Sequence, residues 1–211
     1  MAQAIFKSWF VDFEPWGGVM PSDWQELEFS SFLTPRTEKS NDPKIPLFSI
    51  TDTGIHHRDE KFNKNLSKES TKNKVAYETD IIFGMSRKIL NWGILRVPIG
   101  GVSSAYNVFS VDDSINSKYL ESFIKAHTMY FSDLIRPSTR EGQGVDKGAL
   151  MLKTVYLPSQ EVLSKYYTIE DSLILQISAN QTKNDNLTNI RNSLLPHLMS
   201  GEISVSDLTA K

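Results

Sequence analysis

The feature that most constrains this chain is a long stretch near its C-terminal end without helix breakers. From Glu161 to Met199 there is no glycine, and no proline before Pro196. A run of roughly 35 residues free of both predicts one long helix. Its apolar positions step by alternating fours and threes, through Leu173, Ile177, Leu187, Ile190 or Arg191, Leu194 and Leu198. Asn180 and Asn184 fall on the same line. That period is a coiled-coil seam with a polar interruption. A long amphipathic helix cannot cover its own seam, so it needs a partner helix. Residues 2–13 carry a helical pattern of their own (Ala4, Ile5, Trp9 and Phe10, with Phe6 and Phe13 alongside) but are far too short for that task. The seam therefore expects a second chain or the missing length of a longer parent.

The other 160 or so residues make a domain large enough to bury a core. The absence of cysteine excludes a disulfide framework and thiolate metal sites, and makes the cytoplasm the natural compartment. No apolar run approaches the length of a membrane span, and the N-terminus lacks a signal-peptide pattern. Net charge is −2 overall, but it is unevenly spread: −4 over residues 1–35, +3 over 36–150 and −1 over 151–211. The small central basic excess permits phosphate contacts without demanding them.

Pro15, Gly17, Gly18 and Pro21 break the N-terminal pattern, and residues 34–74 are polar and turn-rich. Leu47–Ile50, Asp80–Phe83, Gly93–Val97 and Tyr106–Val111 read as strands, with Gly100-Gly101 as a turn between the last two. Residues 117–134 have helical spacing, with Tyr119, Leu120, Phe123, Ile124, His127, Tyr130 and Phe131 on one face. A loop carrying Gly and Arg follows from Arg136 to Gly148, and then a strand around Leu150–Leu157. Arg58 to Lys74 contains six Lys/Arg and reads as an exposed loop.

Catalytic signatures are missing: there is no G-x-S-x-G, no G-x-x-x-x-G-K-[ST] and no dinucleotide fingerprint. Asp59-Glu60-Lys61 matches the D-x-K half of a metal-dependent nuclease core, a triplet common by chance in a basic loop. His56-His57 has no spacing partner in His127 or His197 that would complete a metal site. Three loops could instead face nucleic acid. Gly100–Tyr106 offers backbone and hydroxyls, and Arg136–Gly148 offers Arg140, Gln143 and Lys147. Ser86-Arg87-Lys88 with Asn91-Trp92 makes a third patch. Arg and Gln are side chains able to form paired hydrogen bonds with guanine and adenine. Taken alone, each loop reads better as an ordinary turn or solvated loop than as a DNA contact.

Three segments together change that balance. Residues 2–13, the following Glu14-Pro-Trp-Gly-Gly-Val-Met-Pro-Ser-Asp-Trp24, and Leu194-Leu-Pro-His-Leu-Met-Ser-Gly-Glu-Ile203 closely resemble stretches of type I restriction-modification specificity subunits. They are similar to the end of the central spacer helix, the start of the second target-recognition domain and the end of the C-terminal spacer. Tyr77–Phe83, Gly101–Tyr106, Ile115–Leu120 and Leu157–Glu161 resemble that family's recurring stations more loosely.

The resemblance implies a non-catalytic subunit that reads a bipartite DNA site. It would direct an adenine methyltransferase and a restriction motor to that site. S-adenosylmethionine, ATP and magnesium would sit in the partner methyltransferase and restriction subunits, with no cofactor in this chain. A full specificity subunit has two recognition domains between two antiparallel spacer helices; this chain has one. It therefore reads as a C-terminal half or a natural half-subunit, and two copies pairing through the long helix would restore the symmetry.

The expected fold is α/β in the broad sense (α+β). The end of a spacer helix occupies residues 1–13, a recognition domain with a curved sheet 14–157, and a spacer helix and tail 158–211. Expected DNA contacts are Arg58, Lys61, Arg87, Lys88, Ser103, Ser104, Tyr106, Arg140, Gln143 and Lys147. The expected helix seam is Leu173, Ile177, Asn180, Asn184, Leu187, Leu194 and Leu198. The alternatives are a helical protein-interaction adaptor with no DNA role, and a small metal nuclease built on Asp59 and Lys61.

Overall fold

Ile81-Ile82-Phe83 are three consecutive apolar residues, all buried, a run that suits a strand covered on both faces. They form β6, near the middle of a four-stranded antiparallel sheet in the computed structural model of the protein. That structure describes residues 2–58, 73–86, 89–135 and 144–201. The sheet runs β2 (Leu33–Arg36), β9 (Asn107–Val111), β6 (Ile81–Phe83), β7 (Trp92–Ile94). Three two-stranded ladders accompany it: β1 (Gln25–Glu28) with β10 (Thr154–Leu157), β3 (Phe48–Thr51) with β4 (Gly54–His57), and β5 (Lys74–Tyr77) with β8 (Ile99–Val102). Every one of these strand pairs is antiparallel, so the mixed fold is of the α+β kind. The helices are α1 (Ala2–Phe10), α2 (Phe29–Phe32), α3 (Ser117–Ala126), α4 (Lys147–Met151) and α5 (Gln160–Met199). The chain divides into two compact units, one of residues Gln3–Ser159 and one built on α5.

Two apolar assemblies hold the first unit. Phe48, Ile50, Ala76, Ile82, Leu95, Val102 and Val108 make one, drawn from five of the strands. The other is aromatic. Phe6 and Phe10 of α1 each lie 5.4 Å, ring centre to ring centre, from the buried Tyr119 of α3. Trp24 packs 5.8 Å from Phe10 and 5.3 Å from Trp16. The Tyr119 hydroxyl donates to the Tyr156 carbonyl at 2.6 Å, so the ring is buried without stranding its polar end. Each fully buried ring contributes about 1.5–3 kcal/mol relative to exposure.

Three local expectations are corrected. Gly100-Gly101 is not a turn; both residues lie inside β8. The glycines are there because neighbours press on the backbone. A Cβ at Gly100 would sit 2.6 Å from Phe48 Cδ2, and one at Gly101 would sit 2.8 Å from Leu47 Cδ2. The turn comes later, where Tyr106 N donates to Ser103 O at 3.0 Å. The helix expected over 117–134 ends at Ala126. His127 closes it, its backbone N donating to the Phe123 carbonyl at 3.0 Å. Phe131 and Leu134 still reach the core through a short 3-10 turn at Ser132–Leu134. Finally, residues 147–151 are helical, not loop and strand, because Asp146 caps them by accepting from Gly148 N and Ala149 N. Strand β10 starts only at Thr154.

The second unit is the helix that the breaker-free run predicts, 40 residues long. Pro196 sits in its last turn, and Gly201 follows with φ of 75°, the left-handed geometry that ends helices. Residues 174 to 193 are all exposed. They include Ile177 at 52% and Leu187 at 62% of full exposure, with Asn180 and Asn184 between them. Leu173, Leu194 and Leu198 are half-buried.

Candidate nucleic-acid interface

The four-residue turn Ser103–Tyr106 links β8 to β9 at one end of the strands. Strand β5 pairs with β8 so that Lys74 lies opposite Val102, the residue immediately before that turn. The Lys74 ammonium reaches across and donates to the Tyr106 carbonyl at 2.5 Å. Ser103 spends its hydroxyl within the turn, accepting from Ala105 N at 3.3 Å. Ser104 is exposed, and the Tyr106 ring rests partly buried against the core that includes Phe48 and Val108.

Lys147 comes to the same place from a distant part of the chain. Asn107, the first residue of β9, donates from its side-chain nitrogen to the Val145 carbonyl at 3.3 Å. Ile135 and Val145 pair as a bridge, and Asp146 N donates to Leu134 O at 3.0 Å. Those contacts fix residues 145 to 147 beside the start of β9. Lys147 is exposed, its amine 5.9 Å from the centre of the buried Phe109 ring.

The two lysines feel each other. Partial burial pushes the Lys74 ammonium below its ordinary range, and the positive charge of Lys147 pushes it the same way. Lys39 pairs with Lys74 across an isolated antiparallel bridge and is exposed. Sequence reading missed Lys74 and Lys39. Lys74 looked like the end of a basic loop, and Val75 and Ala76 are both buried, so the strand lacks the alternation that would have revealed it.

Arg58 follows β4. Its backbone N donates to Leu47 O at 2.7 Å and its Nε to Ser49 Oγ at 3.2 Å, which leaves the guanidinium partly buried over the β3–β4 ladder. Lys61, Arg87, Lys88, Arg140 and Gln143 lie outside the described residues, as does Asp59. Among the described residues no three His, Asp or Glu side chains gather as a metal site would require.

Below the interface, the β5–β6 turn is locked by Asp80. Its buried carboxylate accepts from Arg36 Nε at 2.7 Å and from Tyr77 N at 2.9 Å. The bond to Asp80 holds the Arg36 guanidinium above its ordinary range against the opposing cost of burial. A separate cleft of about 510 Å³ opens between the β3–β4 ladder, β7 and α3, lined in part by Thr53, Ile55, Trp92, Arg96 and Lys125. Glu121 stands there between Arg96 and Lys125. Burial alone would raise its carboxyl, but hydrogen bonds from Lys125 and Arg96 hold it below the usual carboxylate range.

No protein-family model matches the chain. It is 24% identical over 235 residues to the Type I restriction enzyme MjaIX specificity subunit of Methanocaldococcus jannaschii, a match covering 99% of this chain and 53% of that protein. The chain thus spans about half the length of the curated relative it matches. Among solved structures, the HsdS subunit from Thermoanaerobacter tengcongensis superposes with a TM-score of 0.54 at 15% identity, covering 96% of this chain and 50% of that one. A chain from a study of complex assembly and conformational transition in the type I R-M system superposes with a TM-score of 0.55 at 14% identity, covering 93% and 50%. Over almost its whole length the chain is thus similar in sequence to about half of a type I restriction enzyme specificity subunit, and it shares the fold of these two solved type I structures.

Proposed function

We propose that this chain is a non-catalytic, sequence-specific DNA-recognition subunit of a type I restriction-modification complex. The observation that carries the reading is the end-to-end similarity, over 99% of the chain, to a specificity subunit. The basic loop ends around β9 support it: they gather lysines and an exposed hydroxyl at one end of the strands. In this reading the loops of the first unit choose the half-site and α5 sets the spacing. The adenine-methylating chemistry, with its S-adenosylmethionine, belongs to methyltransferase subunits. ATP and magnesium belong to the restriction subunits, and the assembly works in the cytoplasm. The exposed seam of α5 supports a pairing of two copies through Leu173, Ile177, Asn180, Asn184, Leu187, Leu194 and Leu198, giving a symmetric bipartite site.

Equilibrium titration of duplex DNA tests the reading. The chain alone should bind weakly and with strong salt dependence, and addition of type I methyltransferase subunits should tighten binding, because phosphate neutralisation is then shared across the complex. An adaptor would bind the protein partner with no salt-dependent DNA affinity. A nuclease would cut the duplex with magnesium alone. Light scattering tests the pairing: a strict monomer at high micromolar concentration contradicts it.

A further inference from the structure

We infer that Lys74 and Lys147 form one seat for a single DNA backbone phosphate at the base of the Ser103–Tyr106 turn. The inference rests on the DNA-recognition reading and adds to it a site that acts on the backbone and not on the bases.

Four observations carry it. First, contacts from unrelated parts of the fold converge on one spot. Lys74 is opposite Val102 and bonded to Tyr106 O at 2.5 Å, while Asn107 holds Val145 and so brings Lys147 to within 5.9 Å of Phe109. Second, the two amines stand outside the salt bridges. Neither Lys74 nor Lys147 is in an ion pair among the described residues, and Lys39, a third cation, faces Lys74 across the bridge. Third, the Lys74 amine is preorganised. One of its three donors is engaged by the Tyr106 carbonyl, which leaves two for a further acceptor. Fourth, an ammonium is a compact point charge without the planar fork that reads base edges, and suits a phosphate oxygen.

The amines' proximity is tested first without DNA. Removing the Lys147 charge, by Lys147→Gln, should raise the Lys74 ammonium toward its ordinary range in a ¹⁵N NMR titration of the side-chain amines. No change would mean the two are not neighbours, and would overturn the seat. Lys147 is exposed, so this variant should keep the wild-type unfolding midpoint.

The phosphate is tested by fluorescence anisotropy of the full chain on two mixed-sequence duplexes, across about 50 to 200 mM salt. The Lys74→Gln/Lys147→Gln double variant should lower the slope of log affinity against log salt by about 0.9, the value of one phosphate contact. Affinity for both duplexes should fall together. A loss of about 1.8 in slope would mean two separate contacts and would overturn the shared seat. A loss confined to one duplex would make the lysines base readers and would also overturn it. An unchanged slope in the double variant, with a salt-dependent wild type, refutes the seat and leaves the DNA reading standing. A wild type with no salt-dependent binding refutes the reading beneath both.

Discussion

The two units of this chain solve the problem of apolar surface in opposite ways. Residues 3–159 turn it inward: Phe29, Phe32, Phe83, Phe109 and Phe131 are all at or below 1% exposure. Beyond the buried Leu163 and Tyr166, the middle of α5 turns it outward, holding Ile174, Leu175, Ile177, Leu187 and Ile190 at half exposure or more. Folding of the first unit is driven by its own core, whereas an isolated helix draws little stability from propensity and needs a surface to pack against. The first unit is thus a self-sufficient body on which precise loop positions can be mounted. The second leaves the apolar side chains of residues 174 to 193 uncovered.

Spectroscopy can follow the two regions separately, because Trp9, Trp16, Trp24 and Trp92 all lie in the first unit while α5 supplies the longest helix. The largest effect should come from emptying the core. Phe109→Ala should cost about 3–5 kcal/mol in denaturant unfolding followed by tryptophan emission. A loss under 1 kcal/mol would deny that β9 is central to this unit. Next, Gly93→Ala should cost about 1–3 kcal/mol by overpacking, since the new Cβ would sit 2.5 Å from Ile55 Cγ1. Both changes should leave the far-ultraviolet helical signal of α5 largely in place.

A smaller effect belongs to Glu121. Its carboxyl is depressed in the folded state, so its stabilisation is present above the ordinary value of 4.5 and is lost as pH falls through the folded value. Glu121→Gln should cost less than about 1 kcal/mol at neutral pH, for a half-exposed pair, and nothing once the carboxyl is protonated. The smallest effect on the first unit should come from Leu187→Asp, which should move its tryptophan transition by no more than about 0.5 kcal/mol. On the proposed pairing through α5, the same change should abolish self-association in sedimentation. If it instead unfolded the tryptophan-reporting unit, the contrast between the regions would fail.

The sequence made these regions legible to different degrees. The long helix was plain because freedom from breakers over Glu161–Met199 is a property of every residue in the run. Strands β6 and β9 were plain, the first from the apolar, β-prone Ile81–Phe83 and the second from the alternation along Tyr106–Val111. Gly100-Gly101 misled because a glycine pair reads as a turn unless the pressure of Phe48 and Leu47 is known, and those contacts are more than 50 residues distant in sequence. Short elements such as α2 and β4 carry too few residues to show a period. Ser103, Ser104, Tyr106 and Lys147 could be suspected singly, but their convergence with Lys74 depends on the Val102–Lys74 pairing and the Asn107–Val145 bond. Such long-range contacts leave no local trace.

The proposed function separates two tasks, with this polypeptide selecting the DNA site and another performing the chemistry. Single-molecule methylation mapping of DNA from cells expressing a type I methyltransferase, with and without this chain, tests it most directly. The expected result is modified adenine at one defined motif when the chain is present, and none at that motif when it is absent. The same motif modified without the chain, or methyl transfer by the purified chain alone, would contradict it.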